Sequence, residues 1–493
     1  MSGIFINNPK VPKGPRFYLR VVALLLLFAL QVGLVLVLYR KSINRQERER
    51  HTTVAEIITT PAPTEPPLPQ ALSIAEEEMR DLVDSYFGPL PRPVKNPPAL
   101  KSLYPVKGIY LGTANNLKTS LELAERTEVN SFVIDVKESW GLCYPSKVPL
   151  AQEMKAATGT MNFKKVVEKC HDAGVNVIAR IVCFKDEVMP YKRPDLCLST
   201  EDGELLHYPL EGGLAFANPY DTRVWDYLLD IAKEVVEMGA DEIQFDYVRF
   251  PTGAPQEKGV PAHQKIEEKI AKEYAINRFL ERARIEIQEN LGVPISADLF
   301  SIVMTSKVDG LLIGQNWDTI GLTGIDNICP MIYPSHYANA SQGSQGNGEG
   351  SFIGKGFFKA PDTEPYEVVS NAIIDGYKAS SQAGYTRLRP WLQAFTASWL
   401  APGYYIEYGP QEIRTQIDAV YDAYYTEWIL WNAAFTYPEA AFLAKDEAKM
   451  QEEKLQKEVE LNASEQASEK VVAEATTTRR FPIATAQQKK EEN

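Results

Sequence analysis

Asp241-Glu-Ile-Gln-Phe-Asp246-Tyr-Val-Arg249-Phe-Pro251 is the stretch on which the fold turns. It is a run of β-formers with a carboxylate near its end. Extended backbone alternates side chains between faces, which sets Ile243, Phe245 and Tyr247 on one side and Gln244, Asp246 and Val248 on the other. An antiparallel strand wetted on one face shows the same alternation. Helical segments before and after it point instead to a parallel α/β sheet covered by helices. The polar groups on the uncovered side then belong inside a (β/α)8 barrel, near the ends of its strands.

Working outward, similar runs recur at 108–112 (GIYLG), 131–137 (SFVIDVK), 175–184 (VNVIARIVCF), 294–300 (PISADLF), 327–333 (NICPMIY), 389–395 (RPWLQAF) and 427–432 (EWILWN). Helix-like segments fall at about 116–128, 161–173, 219–239, 262–290, 364–383 and 410–425, with a short irregular link at 305–321. Eight strand–helix units predict a closed (β/α)8 TIM barrel over residues 105–445. GIYLGTANN lacks the glycine fingerprint of a dinucleotide fold. Helix-to-strand turns are short, as at Ala173-Gly174 and Met238-Gly239-Ala240. Strand-to-helix connections at 138–160, 185–218, 251–261 and 334–363 are long. This asymmetry predicts a decorated cleft at the C-terminal end of the strands.

The flanks differ in character. Residues 1–20 form a short basic segment, and 21–39 (VVALLLLFALQVGLVLVLY) is apolar enough to span a bilayer as one helix. Arg40-Lys41 follows it directly, so an uncleaved membrane anchor is expected, with the barrel outside the cytoplasm. Residues 40–104 read as a Pro-rich linker with one short amphipathic helix around 74–86. Residues 446–493 read as a charged tail that begins as a fraying surface helix and becomes disordered. A net charge of −13 without a basic stripe argues against a nucleic-acid partner. Five cysteines without CxxC spacing and scattered histidines give no support for a disulfide framework, a metal or another cofactor.

Polar residues fall on the side away from the helices in most strands: Asp135 and Lys137, Arg180, Gln244 and Asp246, Ser296 and Asp298, Gln393, and Asn432. Buried ion pairs of Arg180 with Asp135 or Asp246 would satisfy some of them structurally. Taken jointly they predict a polar pocket. Asp246 and Asp298 end adjacent strands, and paired carboxylates suit glycosidic-bond cleavage. One protonates the leaving oxygen; the other attacks the anomeric carbon or activates water. Asp246, with Arg249 and Arg180 near it, is expected to stay ionised. Asp298, between Ala297 and Leu299, is expected to hold its proton. Asp135, Glu138 and Asp186 are alternatives for the acid. Arg249, just past the strand end, is expected to pair with a carboxylate or grip a sugar hydroxyl. Glu138, Tyr247, Tyr333, His336 and Trp431 complete the expected substrate-binding set, and Trp391 and Trp399 are further candidates for stacking on sugar rings.

KGIYLG, FVIDVKE, ARIVCFKD, DEIQFDYVRFP, SADLF and MIYPSHY together resemble a family of bacterial glycoside hydrolases with a TIM-barrel domain, often secreted or membrane-anchored. FDYVRFP is the most specific of these, and the resemblance covers about 105–445. It implies a glycoside-hydrolase-like barrel without naming a sugar. The chain departs from the amylase pattern, which has an arginine at the position of Gln244 and a glutamate near strand five where Asp298 stands. The leading expectation is a membrane-tethered glycoside hydrolase acting on a polysaccharide or oligosaccharide outside the cytoplasm. A catalytically silent glycan-binding barrel of the cell envelope is the alternative, and a structural envelope protein a third.

Overall fold

A computed structural model of the chain describes residues 74–454 and residue 457. The expected membrane anchor at 21–39 and the first part of the linker lie outside these residues, as does most of the charged tail. Among the described residues no helix is long and apolar enough to cross a membrane.

Eight parallel strands close on themselves. They are β1 (Lys107–Tyr110), β2 (Ser131–Glu138), β3 (Asn176–Val182), β4 (Glu242–Asp246), β5 (Ile295–Phe300), β6 (Asn327–Ile332), β7 (Trp391–Gln393) and β8 (Trp428–Trp431). Each pairs with the next, and β8 returns to β1 with Ile429 opposite Gly108. Helix α1 (Ile74–Phe87) precedes the barrel. The longer helices between its strands are α2 (Leu117–Arg126), α3 (Phe163–Asp172), α4 (Thr222–Glu237), α5 (Lys272–Ala283), α6 (Lys307–Ile313), α7 (Pro365–Ser380) and α8 (Pro410–Asp422). Because helices cover the outside and side chains fill the inside, most strand residues are buried. Phe245 of β4 packs edge-on to Phe279 of α5 with ring centroids 5.2 Å apart. Asp221 and Asn162 cap α4 and α3 by accepting from Arg223 N and Lys165 N. Gly239 takes φ +103° in the short turn into β4, a conformation that side chains resist.

Three local features differ from the expectation. First, β4 ends at Asp246, and Tyr247 takes a left-handed backbone with φ 49°. The alternation stops there, so Val248, Arg249 and Phe250 are all buried. Second, residues 445–454 are helical and dock on the N-terminal end of the barrel. Glu128 N donates to Leu443 O, Lys107 pairs with Glu452 at 2.8 Å, and Ala448 is buried. This segment, read from the sequence as a fraying surface helix at the start of a tail, supplies the helix after β8, which completes the ring of eight around the barrel. Third, the second half of the linker lies on the barrel instead of spacing it away. Phe87 of α1 stacks on Trp225 at 4.8 Å, and Lys101 N donates to Gly292 O.

The barrel interior is layered. Near the N-terminal end a buried network joins Arg389 to Glu242 (2.7 Å), Asn327 (2.8 Å) and Glu427 (3.4 Å), with Ser296 Oγ donating to Glu242. An apolar layer with Val133, Ile178, Cys329 and Ile429 separates this plug from the other end.

Candidate active site

Toward the C-terminal end each strand contributes a side chain: Tyr110, Asp135, Arg180, Asp246, Asp298, Tyr333 (one residue past β6) and Trp431, with Trp391, the first residue of β7, reaching Asp298. The pairing of β4 with β5, Phe245 opposite Ala297, carries Asp246 and Asp298 to the same height on adjacent strands. Arg180 is the electrostatic centre. It donates from Nη1 to Asp135 (2.7 Å) and Glu138 (2.7 Å), and from Nε and Nη2 to Asp246 Oδ2 (3.0 and 2.6 Å). Its three carboxylate partners outweigh the penalty of burial and hold the guanidinium charged. The other oxygen of Asp246 accepts from Tyr247 N at 2.6 Å. The strained turn after β4 thus aims a backbone donor at this carboxylate.

The carboxyls are not equivalent. Asp298 is 1 % exposed; burial first, and then the negative charge of Asp246, push its carboxyl well above the usual range. Trp391 Nε1 donates to its Oδ1 at 2.7 Å. Asp135 is also pushed up, to about 6, chiefly by burial with Glu138 adding, while Arg180 opposes the rise. Tyr110 donates to Asp135 Oδ2 at 2.5 Å. Against its own burial, Arg180 holds Glu138 below the usual carboxylate range. One guanidinium therefore serves three carboxylates, and a fourth beside them favours its proton.

Aromatic rings form one side of the cleft. Trp431 stacks on Tyr110 (6.1 Å), meets Tyr333 at 6.1 Å and takes the edge of Phe395 at 5.1 Å. Trp399, 49 % exposed, stacks on Phe395 at 5.7 Å, and the exposed His336 lies edge-on to Trp399 at 6.3 Å.

Of the residues expected from the sequence, Asp135, Glu138, Arg180, Asp246, Asp298, Tyr333, His336 and Trp431 gather here, with Tyr247 at the margin. Others have different work. Lys137 is buried against Val182 O (2.8 Å) and Asp186 (3.0 Å), so neither it nor Asp186 is a group of the cleft. Gln244 lies in the barrel interior with Nε2 on Cys329 Sγ at 3.5 Å. Gln393 joins Ser335, Asp362 and Phe395 O, and Asn432 ties Ala394 O to Thr436 O; both brace loops. Arg249 pairs with a carboxylate as expected, but that of Glu211 at 2.8 Å; it is 3 % exposed and turned to Glu211 instead of to Asp246. Trp391 was expected to stack on sugar, yet it is buried and orients Asp298. Tyr110 was missed, although it ends a strand as Asp246 does. Glu211 left no signal because it meets Arg249 across 38 residues of chain. Among the described residues no group of three His, Cys, Asp or Glu is placed to hold a metal.

Fold and site define a (β/α)8 barrel with a cleft of carboxylates and aromatic rings at the C-terminal ends of its strands. Residues 103–437 match the model of the family described as "Putative glycosyl hydrolase domain". The chain belongs to this family, and its enzyme class is glycoside hydrolase. No curated protein matches the chain. Among solved structures it is similar to a hypothetical protein from Ruminiclostridium thermocellum ATCC 27405, with 37 % identity over 38 % of this chain and 96 % of that one and a TM-score of 0.34. It is also similar to the PgaB (BpsB) glycoside hydrolase domain from Bordetella bronchiseptica, with 14 % identity, 70 % and 97 % coverage and a TM-score of 0.48. The spore cortex-lytic enzyme SleL of Bacillus megaterium QM B1551 matches at 13 % identity, 76 % and 84 % coverage and a TM-score of 0.39.

Proposed function

We propose that this protein is a membrane-tethered glycoside hydrolase that cleaves a polysaccharide outside the cytoplasm, with Asp246 and Asp298 as its catalytic pair. The carrying observation is the contrast between these two carboxyls. Asp246 receives two N–H groups of Arg180 and one backbone N–H, donors that fix and orient a carboxylate for attack or for activating water. Asp298 is desolvated beside it and has its pKa raised, the condition of a carboxyl that keeps its proton and delivers it to a leaving oxygen. Asp135 and Glu138 are tied to Arg180 and serve it as positioning groups. The apolar run at 21–39 and the resemblance to secreted and anchored proteins support the tether.

The test is Asp298→Asn on substrates with good and poor leaving groups. The poor leaving group should lose about 10²–10⁴-fold in rate and the good one far less. Equal losses would remove Asp298 as the acid. Asp246→Asn should abolish cleavage of both while sugar binding survives. If sugar is bound but no substrate is cleaved by the unaltered protein, the silent glycan-binding barrel is the correct reading.

A further inference from the structure

Behind the aromatic side of the cleft, Asp362, Gln393, Ser335 and His336 form a chain of hydrogen bonds that ends on the imidazole. Gln393, buried at the end of β7, donates from Nε2 to Phe395 O (3.0 Å) and to Asp362 Oδ1 (2.8 Å). Its Oε1 accepts from Ser335 N (3.1 Å) and stands 2.8 Å from Ser335 Oγ. Ser335 Oγ in turn lies 3.0 Å from His336 Nδ1. Gln416 holds the strand end in place, accepting from Gln393 N at 3.1 Å and donating to Gln393 O at 2.8 Å.

The chemistry of these groups leaves one assignment of protons. A backbone carbonyl only accepts and a backbone N–H only donates. Phe395 O and Ser335 N therefore fix which end of the Gln393 amide is nitrogen and which is oxygen. The amide oxygen has no proton to give, so the single hydroxyl proton of Ser335 goes to it. Ser335 Oγ then has only a lone pair for His336, and Nδ1 must carry the ring proton. Desolvation by its neighbours lowers the His336 pKa, so near neutral pH the ring holds that one proton and Nε2 keeps its lone pair. His336 is an exposed residue, and among the described residues no group donates to Nε2.

The ring stands in the cleft wall. Its centre is 5.3 Å from that of Tyr333 and 6.3 Å from those of Phe395 and Trp399. Burial, and then the charges of Asp298 and Asp246, raise the pKa of the Tyr333 hydroxyl, which ties this wall to the carboxylate pair. A sugar laid on the exposed ring of Trp399 meets it with C–H groups and turns its equatorial hydroxyls outward. A lone pair beside the stacked rings suits such a hydroxyl.

We infer that His336 is the hydrogen-bond acceptor for a substrate hydroxyl at a sugar subsite on Trp399, with Gln393 and Ser335 as positioning residues that keep its Nε2 free of a proton. This rests on the proposed hydrolase reading for the identity of the sugar. Nitrogen NMR of the full chain with isotope-labelled histidines reads the tautomer, and His336→Gln identifies the signal by its loss. Near neutral pH His336 should be in the Nδ1–H form. Gln393→Leu should shift it toward a mixture of the two forms. Ser335→Ala should do the same with little loss of volume, which guards against misfolding of the buried variant. A ring found as Nε2–H in the unaltered protein, or a tautomer indifferent to Ser335→Ala, overturns the proposal. The full chain carrying Asp246→Asn is then titrated with oligosaccharides of glucose, of galactose and of N-acetylglucosamine. At least one series should bind and move the Nε2 resonance. His336→Phe should weaken that binding about tenfold, the size of one hydrogen bond. His336→Gln, whose amide oxygen can take the place of Nε2, should lose less. On the active background His336→Phe should raise KM more than it lowers kcat. No binding by any series, or binding equal in His336→Phe, overturns the subsite. An inactive unaltered protein that binds sugar through Nε2 refutes hydrolysis and keeps the subsite. An active one whose KM ignores His336→Phe keeps hydrolysis and discards the subsite.

Discussion

The guanidinium of Arg249 lies 2.8 Å from Glu211 Oε1, 4.9 Å from the centre of the Tyr247 ring and 4.5 Å from that of Phe300. Lys185 approaches the same Tyr247 ring at 4.8 Å. Two cations thus clamp a residue whose left-handed backbone costs about 1–2 kcal/mol, and that backbone presents the N–H received by Asp246. Arg249→Ala removes the clamp and leaves Glu211 buried with a reduced set of partners. Urea unfolding should show a loss of about 3–5 kcal/mol, far above the 0–1 kcal/mol of an exposed pair. Arg249→Lys should lose less, keeping the charge without the planar fork. Asp135 makes a second prediction. Its carboxyl is raised to about 6 in the folded protein against about 3.9 unfolded. Between these values the folded state holds more protons than the unfolded one. Stability from this group is therefore fullest below about pH 4 and falls as pH rises through about 6. Asp135→Asn should flatten that limb in a series of denaturation midpoints against pH. Arg180, Asp246 and Asp298 were legible in the sequence because strand alternation alone puts them inside. For Arg249 a carboxylate partner was expected but not which one: Tyr247 breaks the alternation two residues earlier, and Glu211 comes from another loop.

The eighth helix is the element with most to test. Lys107 of β1 is buried between Glu128 (3.2 Å) and Glu452 (2.8 Å). Glu128 also receives Arg414 at 2.7 Å and the Tyr421 hydroxyl at 3.0 Å. The three groups differ in exposure: the Lys107 side chain is 2 % exposed, Glu128 0 % and Glu452 40 %. Desolvation decides the magnitudes. Lys107→Met should cost about 3–5 kcal/mol, because a carboxylate stays behind in the interior. Glu452→Gln should cost about 0–1 kcal/mol, because the half-exposed carboxylate is lost while Lys107 keeps Glu128 as its partner. Denaturant titration of the two variants checks the ranking, and a larger loss for Glu452→Gln would refute it. The strands and most helices were readable from apolar runs and 3.6-residue periodicity. The helix at 445–454 was expected, but as a fraying surface element: its docking was not legible because its buried face includes Ala448 instead of a stripe of large side chains, and alanine hardly marks a face.

For the whole molecule the prediction is topological. Protease added to intact cells, with any outer barrier opened, should remove the domain at 105–445. Complete protection until lysis would refute an extracytoplasmic barrel. The docked segment at 88–104 shortens the span available to such a tether. Val94 N donates to Asn290 Oδ1 and Lys101 N to Gly292 O, so this segment belongs to the surface of the barrel and not to a spacer.

By itself the sequence determined the order of strands and helices, the closed barrel they form, the end at which its long loops gather and the strand positions of the acidic residues. Those are consequences of local periodicity and chain connectivity, which act between near neighbours. The tertiary structure decided the partners: Arg180 with three carboxylates, Arg249 with Glu211, Lys137 with Asp186, and Asp298 with Trp391. Burial and charge at each group are sums over residues distant in the chain. Which carboxyl keeps its proton is therefore settled only when the barrel closes.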